Sequence, residues 1–372
     1  MRIGIDAREL LGRPTGVGRY LRSLLGQWAV SARAGTFPHR IVMYAPQAWP
    51  ADAAAEFAGL DPECRIVAGS SGTWWEQTRL PAAASRDGLD VFFAPAYTSP
   101  LALACPVVQT IHDLSFLAHP EWFARRERIR RRLVTHWSAR RARIVLTDSH
   151  FSAREIHERL GVPAHKIRTI PLGATRPGAV GDEAPALPGF DLRAPVVLYV
   201  GSIFNRRRVP DLIRAFARIA GAAADARLEI VGENRTHPLQ DLETLCRELG
   251  VASRVSIRAY VSDAELASLY ASARVFVFLS EYEGFGLTPL EALGCGIPVV
   301  VLDTPVARET CGEAAGYVAP GDLDAVASLV ARLLTDAAAH RQALAPAASV
   351  LARYRWSEAA DSTRAALEEA AR

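Results

Sequence analysis

Lysine is almost absent from this chain of 372 residues: Lys166 is the only one, and arginine carries nearly all the positive charge. The excess of basic over acidic residues is only +3, which does not point to general nucleic-acid binding. No apolar run reaches 18 residues, so no transmembrane span is expected. The five cysteines (Cys64, Cys105, Cys246, Cys295 and Cys311) are scattered without a C-x-x-C pair, which argues against a zinc site and a disulfide framework. The start, MRIGID, reads as a strand and not as a signal peptide, so a cytoplasmic protein is expected. No repeat of solenoid period is visible.

Strand-like runs alternate with amphipathic or alanine-rich stretches. One series lies at 3–7, 41–45, 65–68, 91–94, 107–111 and 144–147; a second lies at 196–200, 228–231, 255–258, 275–278 and 298–302. Such a βαβα succession predicts parallel sheets covered on both faces. The segment 174–195, rich in Pro, Gly and Ala, reads as a linker. The expected division is therefore a first domain at 1–173, a linker at 174–194, a second domain at 195–355 and a terminal helix at 356–372.

The most informative run is SEYEGFGLTPLEALGCGIPVVVL at 280–302. A buried strand at 275–279 leads into a tight turn at Gly284–Gly286. Thr288 is a candidate N-cap, with Pro289 at the first helical position and Glu291 at the third. One carboxylate, Glu283, then lies at a strand's carboxyl end, and Glu291 lies in a helix's first turn. Open parallel sheets bind ligands there, and a helix start offers N–H groups to an anion. Taken singly, Glu291 reads as a capping residue and Glu283 as a loop charge. The second domain opens with VVLYVGSIFNRRRVPDLIRAF at 196–216, where a strand ends at Gly201 and Ser202 and three arginines follow. Arginine clasps phosphate oxygens in pairs and stabilises diphosphate leaving-group charge.

The E-x7-E spacing with its internal Gly-Phe-Gly and the trailing Gly-x-Pro-Val-Val resembles the signature of retaining nucleotide-sugar glycosyltransferases of family GT4. The likeness covers most of the chain and is strongest at 275–310 and 196–216. It implies the GT-B fold: an α/β chain of two Rossmann-like parallel-sheet domains facing a cleft, the C-terminal helix crossing back to the first. Arg206 falls at the family's Arg and Arg207 at its Lys. The resemblance gives Glu283 the hydroxyls of the transferred sugar and Glu291 the ribose. It gives the backbone of Gly284, Phe285, Gly286, Leu287 and Thr288 the sugar or phosphate. Glu233 and Arg235, after the strand at 228–231, are expected at the donor, as are Tyr260 and Val261 beside the base; Ser262 or Asp263 reads as a helix cap. In the first domain, TGVGRY at 15–20 is not a full G-x-G-x-x-G, since Leu21 takes the third position. It fits the family's first loop, with Gly16 and Gly18 near phosphate or acceptor; Arg19 reads equally as a phosphate contact or a surface charge. His112 and Asp113 match the family's His-Asp after a strand, with contact to the transferred sugar implied and general-base work open. Asp148 and Ser149 match a further family segment, and capping explains Ser149 equally well. Trp74–Gln77 and Ala94–Tyr97 resemble segments near the acceptor, or read as core.

The expected catalytic set is thus His112, Asp113, Arg207 and Glu283. No cofactor or metal is expected: Asp322-Leu-Asp324 reads as helix capping. The expected partners are a nucleotide-sugar donor and a glycan or polyprenyl-diphosphate-linked acceptor, with no nucleic acid. The run 124–143 holds nine arginines and an apolar stripe of Ile129, Leu133, Val134 and Trp137. It reads as a helix packed on its domain or as a basic face for an anionic membrane. A sugar-nucleotide epimerase or hydrolase, an NAD-dependent oxidoreductase and a non-catalytic carbohydrate-binding subunit are the competing readings.

Overall fold

The structure is a computed structural model that describes residues 1–12, 15–49, 57–175, 189–190, 194–219, 223 and 225–372. Most of the expected linker lies outside the described residues. The chain forms two compact units, one of 1–118, 125–173 and 354–372, the other of 119–124 and 174–353.

The first unit carries a seven-stranded sheet in the order β3-β2-β1-β4-β5-β6-β7, every pair parallel. Its strands are β1 (Arg2–Asp6), β2 (Arg40–Ala45), β3 (Glu63–Ile66), β4 (Val91–Ala94), β5 (Val107–Thr110), β6 (Ile144–Thr147) and β7 (Ile167–Thr169). The central strands β4, β5 and β6 are buried at every position. A sheet covered on both faces needs such continuous apolar runs. The terminal helix Trp356–Ala371 belongs to this unit, as the family resemblance implied. It buries Trp356 and Leu367, and its Ala360 carbonyl accepts a 3.0 Å bond from the Trp28 indole N–H. Each such large side chain contributes roughly 1.5–3 kcal/mol on burial.

The second unit has six parallel strands in the order β10-β9-β8-β11-β12-β13. They are β8 (Val196–Val200), β9 (Arg227–Val231), β10 (Val255–Arg258), β11 (Val275–Phe278), β12 (Val299–Leu302) and β13 (Ala315–Val318). The order reverses between β8 and β11, so the loops leaving these two neighbours diverge and open a crevice at their carboxyl ends. Two short strands, β7 and β13, were not expected from sequence. Both are edge strands: β7 has only three residues, and β13 opens on Ala315-Gly316 and buries only Val318. The segment 119–124 also packs with this unit: the His119 ring stacks on Trp122 at 3.9 Å and meets the Tyr282 ring edge-on at 5.5 Å.

Candidate active site

The loops leaving β8 and β11 come together at the switch point of the second sheet. After β8, Gly201 stands at φ +141, and a Cβ there would fall 2.5 Å from an Arg207 guanidinium nitrogen. Glycine thus lets Arg207 fold back over the strand end. Its Nη1 donates to the Ser202 carbonyl at 2.9 Å. Its Nε and Nη2 donate to the two oxygens of Glu283, at 2.8 and 3.4 Å. The guanidinium also lies 5.0 Å from the Phe278 ring. Arg206 lies 3.7 Å from the same Glu283 carboxylate and 4.6 Å from the Phe204 ring. Its buried Nε has no hydrogen-bond partner.

Two cations therefore share one carboxylate, with all three side chains no more than 14% exposed. Burial pushes the Glu283 carboxyl up, but Arg207 and Arg206, with the bond donated by Ser280 Oγ at 2.9 Å, hold it below the ordinary carboxylate range. Burial opposes the charge on Arg207, and Glu283 outweighs it, so its pKa is raised further. The cluster carries an uncompensated positive charge at a place where few water molecules reach it. That is the condition under which an anionic ligand is bound in preference to solvent.

Arg208, the third arginine, takes a left-handed backbone at φ +46. It pairs with Asp211 at 2.6 Å and with Glu281 at 2.8 Å. The Glu281 N–H donates to the Arg206 carbonyl at 2.8 Å. These bonds clasp the loop after β8 to the loop after β11. The sequence does not announce them: it offers Arg208 only as one of three arginines toward phosphate and gives Glu281 no partner. The loop after β9 joins the same ensemble: the Ile203 N–H donates to the Glu233 carbonyl and the Arg235 N–H to the Ile203 carbonyl, both at 2.8 Å. The Glu233 and Arg235 side chains pair with each other at 2.5 Å and are half exposed. Tyr260 is half exposed and Val261 buried at the end of β10, two strands from β8 in the sheet. Ser262 caps the next helix in a capping box with Glu265, the expected role.

The helix after β11 starts earlier than expected. It spans Leu287–Gly294 with Gly286 as N-cap at φ +87, so Thr288 is its second residue and not its cap, and Glu291 is its fifth. Gly286 has no side chain to cap the first turn, which leaves that turn's N–H groups to be met otherwise. Glu291 is 1% exposed and accepts a 3.4 Å bond from the Tyr270 hydroxyl, so it does not close a capping box. Phe285 is buried, and Gly284 with it. A pocket beside this turn is lined by Glu283, Phe285, Gly286, Thr304 and Thr310.

In the first unit, His112 comes after β5 with both ring nitrogens occupied. Nε2 lies 2.9 Å from the Pro95 carbonyl oxygen, which can only accept, so Nε2 carries a proton. Nδ1 lies 2.7 Å from an Asp148 oxygen. Burial lowers the His112 pKa, but the Asp148 carboxylate outweighs it and holds the ring above its ordinary value. Both ring nitrogens are thus engaged by the protein, and the Asp148 carboxylate favours the protonated ring. Asp113 is likewise engaged: one oxygen accepts from the Ser115 N–H and hydroxyl at 2.9 and 2.7 Å, the other from the Tyr97 hydroxyl at 3.0 Å. These bonds fix its carboxylate within the loop after β5. Gly18 is required by the protein itself, because a Cβ there would meet the Glu9 carbonyl at 2.4 Å, and its N–H bonds to the capping hydroxyl of Thr15. Gly16, at the helix start, has open space around it. Ser149 caps the helix His150–Leu160. Asp322 caps the helix Leu323–Thr335 and Asp324 pairs with Arg218. Among the described residues no group of three His, Cys, Asp or Glu side chains is placed to hold a metal ion.

Similarity to known proteins agrees with this geometry. Residues 14–175 match the family described as Glycosyltransferase Family 4, and residues 182–349 the family described as Glycosyl transferases group 1. The chain is 31% identical over 265 residues to the O-antigen chain mannosyltransferase B of Escherichia coli, covering 69% of each. It is 30% identical over 247 residues to the MMP alpha-(1->4)-mannosyltransferase of Mycolicibacterium hassiacum, covering 62% of this chain and 56% of that protein. Its fold is that of a sucrose-phosphate synthase from Thermosynechococcus elongatus, at TM-score 0.75 and 21% identity over 99% of this chain and 98% of the other. The lipopolysaccharide glycosyltransferase WaaG gives a TM-score of 0.72 at 15% identity, with 99% of both chains covered. With a switch-point arginine cluster, the E-x7-E pair and these relatives, the chain belongs to the group 1, family 4 glycosyltransferases of GT-B fold.

Proposed function

We propose that the enzyme moves a hexose, mannose in the first instance, from a nucleoside-diphosphate sugar to a hydroxyl of a glycan or polyprenyl-diphosphate-linked acceptor, with retention of anomeric configuration. One observation carries the donor assignment: Arg206 and Arg207 share a single buried carboxylate at the β8/β11 switch point. A diphosphate supplies the missing negative charge, and the positive end of the helix Leu287–Gly294 adds to its field. On this reading Arg206 and Arg207 stabilise the diphosphate as it leaves, and Glu283 orients sugar hydroxyls beside it. Glu291 takes the ribose by exchanging its long bond to Tyr270 for a diol. His112, held between the Pro95 carbonyl and the Asp148 carboxylate, ties the ends of β5 and β6 together. Diphosphate charge is managed by arginine and the helix start, with no metal required.

Mannose is supported by the two mannosyltransferase relatives, and a diphosphate donor by the solved Anabaena HepE complexes with UDP and UDP-glucose, which share the fold. A glycan acceptor is supported by the O-antigen chain relative, and we extend the proposal to a lipid-linked glycan and a peripheral position at the inner face of the plasma membrane. No described helix is long and apolar enough to cross a membrane. Incubation with GDP-mannose, UDP-glucose or UDP-galactose and a mannoside acceptor, followed by mass spectrometry and proton NMR of the new linkage, tests this. Transfer with an α-linkage from an α-donor is expected. An inverted linkage removes the retaining assignment, and hydrolysis or epimerisation without transfer removes the transferase one.

A further inference from the structure

Between Ala118 and Arg125 the chain leaves the first unit, and residues 119–124 pack with the second before it returns. The segment, HPEWFA, holds three ring-bearing side chains, His119, Trp122 and Phe123, yet none of Pro120–Trp122 is buried. Pro120 opens a 3-10 turn, in which the Trp122 N–H donates to the His119 carbonyl at 3.2 Å. Side chains three apart eclipse one another in such a turn. His119 and Trp122 therefore stack, with ring centroids 3.9 Å apart and planes within 13° of parallel. The His119 and Tyr282 rings meet edge to face at 5.5 Å. Tyr282 is 5% exposed and immediately precedes Glu283 in the chain. The helix that follows, Arg125–Arg141, buries nothing before Thr135 and leaves Ile129, Leu133 and Trp137 exposed. The ring contact with Tyr282 thus anchors the segment beside the carboxylate cluster of the second unit.

The stacked pair is a flat apolar surface that stays half-exposed, where aromatic pairs of a core are buried. Its rim is polar. The Glu121 carboxylate lies 3.1 Å from His119 Nδ1 and is 61% exposed. A carboxylate accepts hydrogen bonds and gives none, so it suits hydroxyl donors. The segment carries this acid and no guanidinium. A diphosphate is drawn to Arg206 and Arg207 and is repelled by Glu121. A pyranose fits better: the C–H face of its ring is apolar and flat, and its hydroxyls reach the rim.

We propose that the stacked His119 and Trp122 rings, with Glu121 at their rim, form a subsite on which a neutral pyranose of the acceptor glycan stacks. The inference rests on the transferase reading above and narrows it, because the group in contact here is an uncharged sugar and not a lipid diphosphate.

The test uses the full chain, with the methyl α-glycosides of mannose, glucose and galactose as probes, in saturation-transfer NMR and titration. Wild type should bind at least one of them, with saturation concentrated on the C–H protons of one ring face, and sodium pyrophosphate should not displace it. Trp122→Ala should lose about tenfold in affinity for that glycoside. Where transfer is measured, acceptor KM should rise by the same factor with donor KM unchanged. Trp122→Phe should recover most of the loss, and circular dichroism checks that both variants are folded. Silence of wild type toward all three glycosides overturns the subsite, as does equal affinity of Trp122→Ala or a Trp122→Phe variant no better than Trp122→Ala. Displacement by pyrophosphate places the glycoside in the donor site and overturns the assignment. An equal fall in nucleoside-diphosphate affinity in Trp122→Ala also overturns it, since the rings would then only hold Tyr282 and Glu283 in place. Calorimetry with nucleoside diphosphates keeps the two readings apart. Their binding without any glycoside binding sinks the subsite alone, and glycoside binding with donor hydrolysis in place of transfer sinks the transferase reading alone.

Discussion

Removing the Glu283 carboxylate should leave two arginines buried without a counter-ion. In Glu283→Ala the bonds at 2.8 and 3.4 Å to Arg207 are lost, together with the 3.7 Å pairing to Arg206 and the bond from Ser280. Breaking a buried pair from one side costs about 3–5 kcal/mol. Arg207→Ala should cost less, because Arg206 still faces the carboxylate. The double variant should be less destabilised than the sum of the singles, with a coupling on the order of 2 kcal/mol. The two units need not unfold together, so native-state hydrogen exchange of the β8 and β11 peptides is the assay suited to the second unit alone. Glu283→Gln sharpens the point: it keeps the shape but frees both guanidiniums. Inorganic pyrophosphate and nucleoside diphosphates should bind it more tightly than wild type, by about tenfold or roughly 1.4 kcal/mol, while sugar transfer falls. The sign of the pH effect comes from the depressed Glu283 value. Its stabilisation is complete above the ordinary 4.5 and is lost as pH falls through the lowered folded value. Strictly additive single-variant costs, or weaker pyrophosphate binding by Glu283→Gln, would refute the shared-carboxylate argument.

Other parts of the molecule give further expected outcomes. The His112 pKa is raised, so its pairing with Asp148 should stabilise the first unit fully below the ordinary 6.5 and lose that effect as pH rises through the folded value. Asp148→Asn should flatten the dependence, and an NMR titration of His112 in wild type should give a pKa above the ordinary 6.5; a value at or below it counts against the pairing. Asp6 is raised from 3.8 to about 6, chiefly by burial and also by Glu76, against the pull of Arg8. The folded state thus favours its protonated form, and the first unit should lose roughly 3 kcal/mol as pH climbs across that interval. Asp6→Asn should abolish this slope in urea titrations, and an unchanged slope assigns it elsewhere. Glu281→Gln removes the charge that Arg208 pairs with. It should raise the donor KM several-fold through looser phosphate positioning, with kcat little changed and the circular dichroism spectrum intact; a kcat loss at constant KM contradicts a clasp.

The fold was legible wherever strands are buried on both faces. The runs at β4, β6, β8 and β11 are continuous in apolar residues, and their expected bounds coincide with the observed ones. The edge strands β7 and β13 escaped because one is only three residues long and the other opens on Ala-Gly, which favours no strand. The meeting of Arg206, Arg207 and Glu283 could be anticipated, since a switch point gathers the loops that leave neighbouring strands. The partners of those side chains could not: Glu281 and Arg208 lie 73 positions apart, and only the folded loops make them a clasp. Glu291 and Thr288 were misplaced because the left-handed Gly286 starts the helix two residues sooner than threonine and proline indicate. The three donors that hold the Asp113 carboxylate were not legible, because the sequence shows the carboxylate and not its partners. Periodicity found the apolar stripe of the basic helix, but period alone does not say which face meets the core.

Isothermal titration with nucleoside diphosphates tests the central claim most directly, comparing wild type with Arg207→Ala. One diphosphate should bind wild type at a single site, with UDP, GDP, ADP and dTDP ranking the base, and Arg207→Ala should lose at least ~30-fold in affinity, in line with the roughly 2 kcal/mol of a charge-assisted bond. Equal affinity in both proteins, or silence of wild type toward all four, would contradict a donor site built on these arginines.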